Sequence, residues 1–290
     1  MLLACCMIYA LVGYCQEVKT LQEKPIVFVD YLKRTRDTPR DWVNGLRNAI
    51  IEGLHSTGRI ELVDVDMHDD LKLEPHHRYF ESSLADDNDE VSRLTIMQKK
   101  GAQYIITGQV TSMIVKWKKE ADGSRRFEAA IKYILRIINP ENGALIGTKE
   151  LEHSGVSFGK GASEDAAITN TYQSAAHSMR DFVDTYFKIE GTILEVSSEK
   201  KGKAEEVYIN LGAAHGMKEA QKFTVYVIRD IAGRQAKKEV GRLTIKSVDG
   251  DDISLCKVQK GGQEILDAIQ NKYPIQIVSR EQTFMGGLLH

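Results

Sequence analysis

Phe127-Glu128-Ala129-Ala130-Ile131-Lys132-Tyr133-Ile134-Leu135-Arg136-Ile137 is the stretch that decides the fold. Phe127, Ala129, Ile131, Tyr133, Leu135 and Ile137 alternate with Glu128, Ala130, Lys132, Ile134 and Arg136. A period of two places the first set on one buried face of a β-strand. Asn139-Pro140-Glu141-Asn142-Gly143 then reads as a turn, because Asn, Pro and Gly supply the backbone angles and local bonds that reverse a chain. Residues 144–151 return as another strand. Upstream, Asp122-Gly123 is a hairpin signal, and residues 103–119 form one long strand or two joined at Gly108.

Around this meander the pattern changes. Ile26-Val27-Phe28-Val29 is a short apolar run, as expected of a buried strand. Trp42, Leu46, Ala49, Ile50 and Leu54 recur at helical spacing, with Pro39 suited to the first turn and Gly58 to the end. Ile60, Leu62 and Val63 make a second strand. Residues 67–90 are polar and acidic, a long connection with one helical turn or more. Val91, Leu94, Ile96 and Met97 give a helix stopped at Gly101. A Gly/Ser loop follows the meander. Ile168, Tyr172, Ala175, Met179, Phe182 and Tyr186 then line one face of a helix that starts at Ser163. Past Phe187-Lys188 the chain is almost all β. Residues 193–196, 207–211, 223–228, 240–248, 253–258 and 275–278 read as strands between Gly-, Asp- or Lys-rich turns, the pattern of a small barrel. A helix over residues 263–270 caps it, and Glu199-Lys200-Lys201-Gly202-Lys203 is a solvated hairpin tip.

Composition narrows the classes. Of the 290 residues 42% are hydrophobic, enough for real cores. With 39 basic residues against 41 acidic ones there is no basic surplus for wrapping nucleic acid or coating an anionic membrane. Residues 1–15, MLLACCMIYALVGYC, carry no charge and precede Gln16-Glu17. The run is short of the ~20 apolar residues of a comfortable span and fits the apolar region of an export signal. Cleavage before Gln16, lipidation at Cys5 in Leu3-Ala4-Cys5, and an uncleaved anchor all stay open. Three of the four cysteines (Cys5, Cys6, Cys15) lie in this segment. Only Cys256 would remain after cleavage, which excludes a disulfide framework and a Cys-based metal or redox site. Cys256 sits in a strand-like run and reads as a small buried hydrophobe.

Three segments carry a resemblance to a known family. They are Ser56-Thr57-Gly58-Arg59-Ile60-Glu61-Leu62-Val63-Asp64, then Gly101-Ala102-Gln103-Tyr104-Ile105-Ile106-Thr107-Gly108-Gln109-Val110, and Leu135-Arg136-Ile137-Ile138-Asn139-Pro140-Glu141-Asn142-Gly143-Ala144. In this order residues 24–187 resemble the curli-secretion (CsgG) family and the related activators of penicillin-binding proteins. Val207-Tyr208-Ile209-Asn210-Leu211-Gly212, His215-Gly216-Met217, Phe223-Thr224-Val225 and Val240-Gly241-Arg242-Leu243-Thr244-Ile245 are similar to the carboxy-terminal module of flagellar assembly protein T. There Gly212 and Gly216 would shape a tight connection between strands. The resemblance implies an envelope location and work by contact, without a known active site. Curli-secretion proteins form a pore from extra membrane-spanning hairpins. Here the first such position holds only Ala121-Asp122-Gly123-Ser124-Arg125-Arg126 and the second the short, polar residues 153–163. A spanning strand needs about 9–11 residues of alternating apolar character, so no pore is expected.

Other constellations have simpler structural accounts. Gly155-Val156-Ser157-Phe158-Gly159-Lys160-Gly161 follows a strand and opens a helix, as a phosphate loop does. Its spacing is one residue short, and Gly161 stands where a hydroxyl should hold magnesium, so a plain loop is the better reading. His68, Asp69, Asp70, His76, His77 and Glu81 are metal-suited types, but nothing forces His68 near His76, and a solvated acidic loop is expected. Trp117 among Lys116, Lys118 and Lys119 could stack on a sugar or base; the exposed end of a hairpin strand is the simpler account.

The expectation is an α+β protein. Residues 1–15 are an export signal. Residues 16–187 are a CsgG-like α/β sandwich, a mixed sheet flanked by helices. Residues 188–280 are a small β-barrel, and residues 281–290 a tail. Its expected function is non-enzymatic: a periplasmic or outer-membrane-associated binding or assembly protein of the bacterial envelope. It would meet unidentified envelope protein partners through a sheet edge or helix face. No catalytic, cofactor-binding or metal-binding residue is assigned and no cofactor is implied. No nucleic acid is expected, and membrane contact only through lipidation. Self-assembly as a homo-oligomeric ring or filament is the alternative, and an enzyme acting on envelope polymers a further one.

Overall fold

The structure, a computed structural model, describes residues 24–71, 87–154 and 159–280. The export segment, His76, His77, Glu81, most of the Gly/Ser loop and the tail lie outside the described residues.

The first sheet is mixed. Its strands are β1 (Ile26–Lys33), β2 (Glu61–Asp64), β3 (Tyr104–Lys119), β4 (Arg125–Ile138), β5 (Leu145–Ser154) and β6 (Lys160–Gly161). The order is β2-β1-β3-β4-β5, with β6 also on β4. β1 is parallel to β2 and β3, and β3, β4 and β5 form the antiparallel meander read from residues 127–137. The two halves of residues 103–119 are one strand. β1 is apolar over Ile26–Val29, with Tyr31 and Leu32 beyond Asp30, because both its faces are covered. Val27, Val29 and Leu32 meet helices α1 (Arg40–Ser56) and α3 (Glu164–Tyr186), while Phe28 and Tyr31 join Met97 of α2 (Asp87–Lys99) in a smaller core. A register shift between Val29 and Leu32 returns Leu32 to the face of Val29.

The helices form where periodicity put them. α1 begins after Pro39, and α3 is capped by the Ser163 hydroxyl, which accepts from the Ala166 amide at 3.2 Å. The two helices cross closely because Gly53 has no side chain: a Cβ there would lie 2.3 Å from the Ala176 carbonyl oxygen. Trp42 and Tyr172, expected on the buried faces, are only partly buried. The Tyr172 hydroxyl donates to the Trp42 carbonyl at 2.8 Å, joining the helices at their outer ends.

The second sheet is wholly antiparallel. It contains β7 (Glu190–Gly191), β8 (Ile193–Lys200), β9 (Lys203–Ile209), β10 (Lys222–Ile231), β11 (Arg234–Val248), β12 (Ser254–Lys260) and β13 (Ile275–Ser279), in the order β7-β13-β10-β11-β12-β9-β8. The two ends of this path, β7 and β8, are separated only by Thr192, so the sheet curls on itself. Val207, Phe223, Val225, Leu243, Cys256 and Ile277 fill it, and helix α4 (Gly262–Gln270) adds Ile265 and Leu266. Burial pushes the Cys256 thiol up to about 12, so it packs as a hydrophobe. One element departs from expectation. β10 and β11 run on as a paired hairpin through Ile231 and Arg234, where the sequence suggested a turn.

The two sheets meet at a buried arginine. Arg59, in the connection between α1 and β2, pairs with Asp184 and donates to the Phe187 carbonyl, both at the end of α3. It also donates to the Ser279 hydroxyl of β13 at 3.3 Å. Beside it Lys218 Nζ donates to the Ser56 carbonyl at 3.1 Å.

Candidate interaction surface

The β3–β4 hairpin outruns the helices beneath it. Pairing continues through Lys116↔Glu128, Trp117↔Phe127, Lys118↔Arg126 and Lys119↔Arg125. Trp117 is 56% exposed. The Arg125 guanidinium sits 4.9 Å from the centre of its ring. Lys118 pairs with Glu128 at 2.7 Å, and that hydrogen bond holds the Glu128 carboxyl below the usual range. At the turn Asp122 accepts from the Ser124 hydroxyl at 2.7 Å and its amide at 2.9 Å, and these bonds lower its carboxyl too. Arg126 pairs with Glu120 at 2.8 Å. Between the tip and the start of α3 lies an open cleft of about 620 Å³ whose wall includes Arg125, Arg126 and Lys160. Lys160 comes to this wall from β6, opposite Glu128, on the other face of the sheet from Trp117, whose partner is Phe127.

The described part of the Gly-rich loop joins the first sheet. Lys160 and Gly161 pair with Glu128 and Phe127 as a short strand, and the Ala129 amide donates to the Gly159 carbonyl at 2.6 Å. The Lys160 carbonyl accepts from the Asn170 side chain at 2.7 Å. Ser163, Glu164 and Asp165 already occupy the positive end of α3. The metal-suited cluster is likewise dispersed where it is described. His68 stacks on Phe28 at 6.0 Å, and Asp70 pairs with Lys100 at 3.1 Å. Among the described residues no group of three metal-suited side chains comes together.

Two polar groups escaped the sequence reading. His153 is buried between the Tyr133 hydroxyl, 3.1 Å from Nε2, and the Ser174 hydroxyl, 3.0 Å from Nδ1. Desolvation lowers its pKa and raises that of Tyr133. The trio lines neither surface cleft and works as a satisfied link between β4, β5 and α3. At the carboxyl ends of β1 and β2, Arg47 is buried beneath Tyr31. It pairs with Asp64 at 2.8 Å and Asp66 at 3.0 Å and donates to the Val29 and Asp30 carbonyls. Arg93 reaches Asp30 from α2. Burial alone would raise the Asp64 carboxyl, but the Asp66 amide and Arg47 hold it below the usual range. A helical-periodicity search finds apolar stripes, so a buried arginine inside one passes unseen.

Two further surfaces are open. Among the described residues β5 pairs only with β4, and Leu145 and Ile146 stand exposed at its start. The β10–β11 hairpin exposes Ile231 near its tip; at its base Arg229 lies 5.5 Å from the Tyr273 ring beside a cleft of about 470 Å³. Both hairpins lead away from the Arg59 junction. β3 starts at Tyr104, packed on Phe187, and β10 starts opposite Ser279. No helix among the described residues is long and apolar enough to cross a membrane.

No family model and no curated protein sequence matches the chain. Solved structures similar to it include the PelC dodecamer from Paraburkholderia phytofirmans, at 16% identity over 52% of this chain and 86% of that one, TM-score 0.32. Lipoprotein GNA1162 from Neisseria meningitidis is 12% identical over 46% and 84%, TM-score 0.34. The LpoB C-terminal domain from Escherichia coli is 16% identical over 47% and 87%, TM-score 0.29. Overlap at these scores is partial and bears no functional weight.

Proposed function

We propose that the chain is a non-enzymatic binding or assembly protein of the bacterial envelope, exported to the periplasm and acting by protein contact. In this reading residues 16–187 are a CsgG-like module and residues 188–280 a second contact module like that of flagellar assembly protein T. The resembling segments support it by falling on successive elements: the end of α1 into β2, the start of β3, and β4 into its turn. The β3–β4 hairpin carries charge on both faces near its tip, through Lys116, Lys118, Lys119, Arg125 and Arg126, and offers no apolar band to a bilayer.

The observation that carries the reading is the free edge of the first sheet. Among the described residues β5 is paired along one side only, with exposed Leu145 and Ile146 at one end. Such an edge is a template for strand addition, with backbone bonds for affinity and side chains for selection. Affinity capture of the tagged mature protein in its own host, with crosslinking and mass spectrometry, tests it. A reproducible envelope partner crosslinked along β5, and lost in the Leu145→Lys/Ile146→Lys double variant, is the expected result. Only self-crosslinks would replace it with the ring or filament reading; no crosslinks at all would remove it.

A further inference from the structure

We propose that the β5 edge takes up a basic strand of a partner protein, selected by Glu150 and Glu152, and rejects a second copy of this chain. This rests on the protein-contact reading and specifies the chemistry of the partner at that same edge.

Alternation sorts the side chains of β5 between two faces. Leu151 and His153 are buried on the helix side, opposite Tyr133 and Ile131. Lys149, opposite Leu135, shares that side. Thr148, Glu150, Glu152 and Ser154 are exposed on the other side, opposite Arg136, Ile134, Lys132 and Ala130. Charge on this exposed face is divided by strand. The cations Lys132 and Arg136 stand on β4, and the carboxylates Glu150 and Glu152 stand on β5. Lys132 bridges both carboxylates, 3.5 Å from Glu150 and 3.1 Å from Glu152, and their side chains stay 60% and 54% exposed.

An added strand would lie one strand spacing, about 4.8 Å, from β5 and two spacings from β4. Its outward side chains would meet the carboxylates directly and the β4 cations only across them. Residues directly opposite decide a sheet pairing: unlike charges favour it and like charges oppose it. Lysine or arginine at two alternate positions therefore answers Glu150 and Glu152. Exposed Leu145 and Ile146 match apolar residues at the corresponding end of the partner strand. The edge is also braced from beneath. The Tyr186 hydroxyl of α3 donates to the Thr148 carbonyl at 2.7 Å, so less ordering is needed when a strand arrives.

The same pattern excludes a copy of β5. Consider two antiparallel β5 edges with their exposed faces together. A register centred on Glu150 sets it against itself, and one centred on Leu151 sets Glu150 against Glu152. A register centred on Lys149 sets Glu152 against Ile146. None of these gives a carboxylate a facing cation, because the single lysine of β5 lies on the helix side.

The test is fluorescence anisotropy of the mature protein with two short fluorescein-labelled peptides. Both end in two leucines; one then alternates threonine with lysine, the other threonine with glutamate. Wild type should bind the lysine peptide roughly tenfold or more tighter than the glutamate peptide, and more weakly as salt rises. Glu150→Lys/Glu152→Lys should reverse the preference. Glu199→Lys/Glu205→Lys, on the second sheet, should leave it unchanged. The altered side chains are exposed, and an unchanged melting temperature verifies their fold. Hydrogen exchange should show new protection of β5 amides in the lysine-peptide complex. Equal binding of the two peptides, a preference that survives Glu150→Lys/Glu152→Lys, or unprotected β5 amides overturns the proposal. So does a dimer in sedimentation that Leu145→Lys/Ile146→Lys abolishes, which would assign the edge to a second copy. In the capture experiment, a partner crosslinked along β5 and retained by Glu150→Lys/Glu152→Lys overturns the charge selection alone. A wild type without any partner overturns the protein-contact reading, while the two peptides still decide the edge.

Discussion

Arg59 and Arg125 place the same chemical group in opposite settings. Arg59 is sealed between the two sheets, its guanidinium divided among Asp184, the Phe187 carbonyl and the Ser279 hydroxyl. Arg125 lies at the exposed hairpin tip, its guanidinium 4.9 Å from the centre of the Trp117 ring. Burial makes the first arginine dependent on its partners, because a charge taken out of water must be compensated where it lies. Exposure leaves the second with little to contribute to folding and with charge to offer another molecule. One position fixes how the two sheets meet, and the other is available for recognition.

The largest effect should come from breaking the buried end. Arg59→Met leaves Asp184 buried without its cation, and loss of one partner of such a pair costs about 3–5 kcal/mol. Urea denaturation should show that loss. It should also divide one transition into two, because the variant removes the bonds tying α3 to β13. Arg59→Met/Asp184→Leu should recover much of the stability, since no isolated charge remains. A double variant as unstable as the single one would mean that Arg59 acts by packing its stem and not by pairing.

Gly216 tests the same junction through backbone alone. Its φ of +69° is the left-handed region, and a Cβ there would lie 2.7 Å from the Gly58 carbonyl oxygen and 2.8 Å from that of Thr57. Those neighbours are backbone and cannot swing away. Gly216→Ala should cost about 1–3 kcal/mol, read as a lower urea midpoint. The tight connection expected at Gly212 and Gly216 is therefore present, but what it is tight against, the far end of α1, belongs to the fold and not to the local sequence.

That contrast marks what was legible. Alternation at residues 127–137 and helical stripes in α1 and α3 placed the meander and its cover, because apolar periodicity records which face is buried. The Arg229–Lys238 stretch pairs residue by residue in β10 and β11 yet is exposed on both sides. With no buried face it left no alternation to read. Arg47, Arg59 and His153 were missed for the converse reason: each is a polar residue in an apolar setting, satisfied by partners distant in sequence. The cleft shared by Arg125 and Lys160 depends on the pairing of β4 with β6, which neither segment announces by itself.

His153 adds a pH dependence to the buried side of the comparison. Desolvation holds its folded pKa below the ordinary value. Above ~pH 6.5 both folded and unfolded chains carry the neutral ring, and its contribution is intact. As pH falls below that value the unfolded chain takes up the proton first, so stability declines. His215 is shifted in the same direction, also by desolvation. Urea midpoints measured from pH 8 to pH 5 should therefore fall, and the slope should diminish in His153→Phe without vanishing. An unchanged slope would remove His153 as a contributor.

The smallest effect on folding belongs to the exposed end, and its smallness is what makes it informative. Trp117 is large and aromatic, so truncation in a core would cost several kcal/mol. At 56% exposure most of its contacts are with solvent and with Arg125. Trp117→Ala should change stability by no more than about 0.5 kcal/mol, read as a urea midpoint close to that of wild type. A variant that loses several kcal/mol would show that the indole belongs to the core beneath it. A near-neutral fold would set the exposed tip at Trp117 apart from construction at Arg59, as the geometry of the two arginines implies.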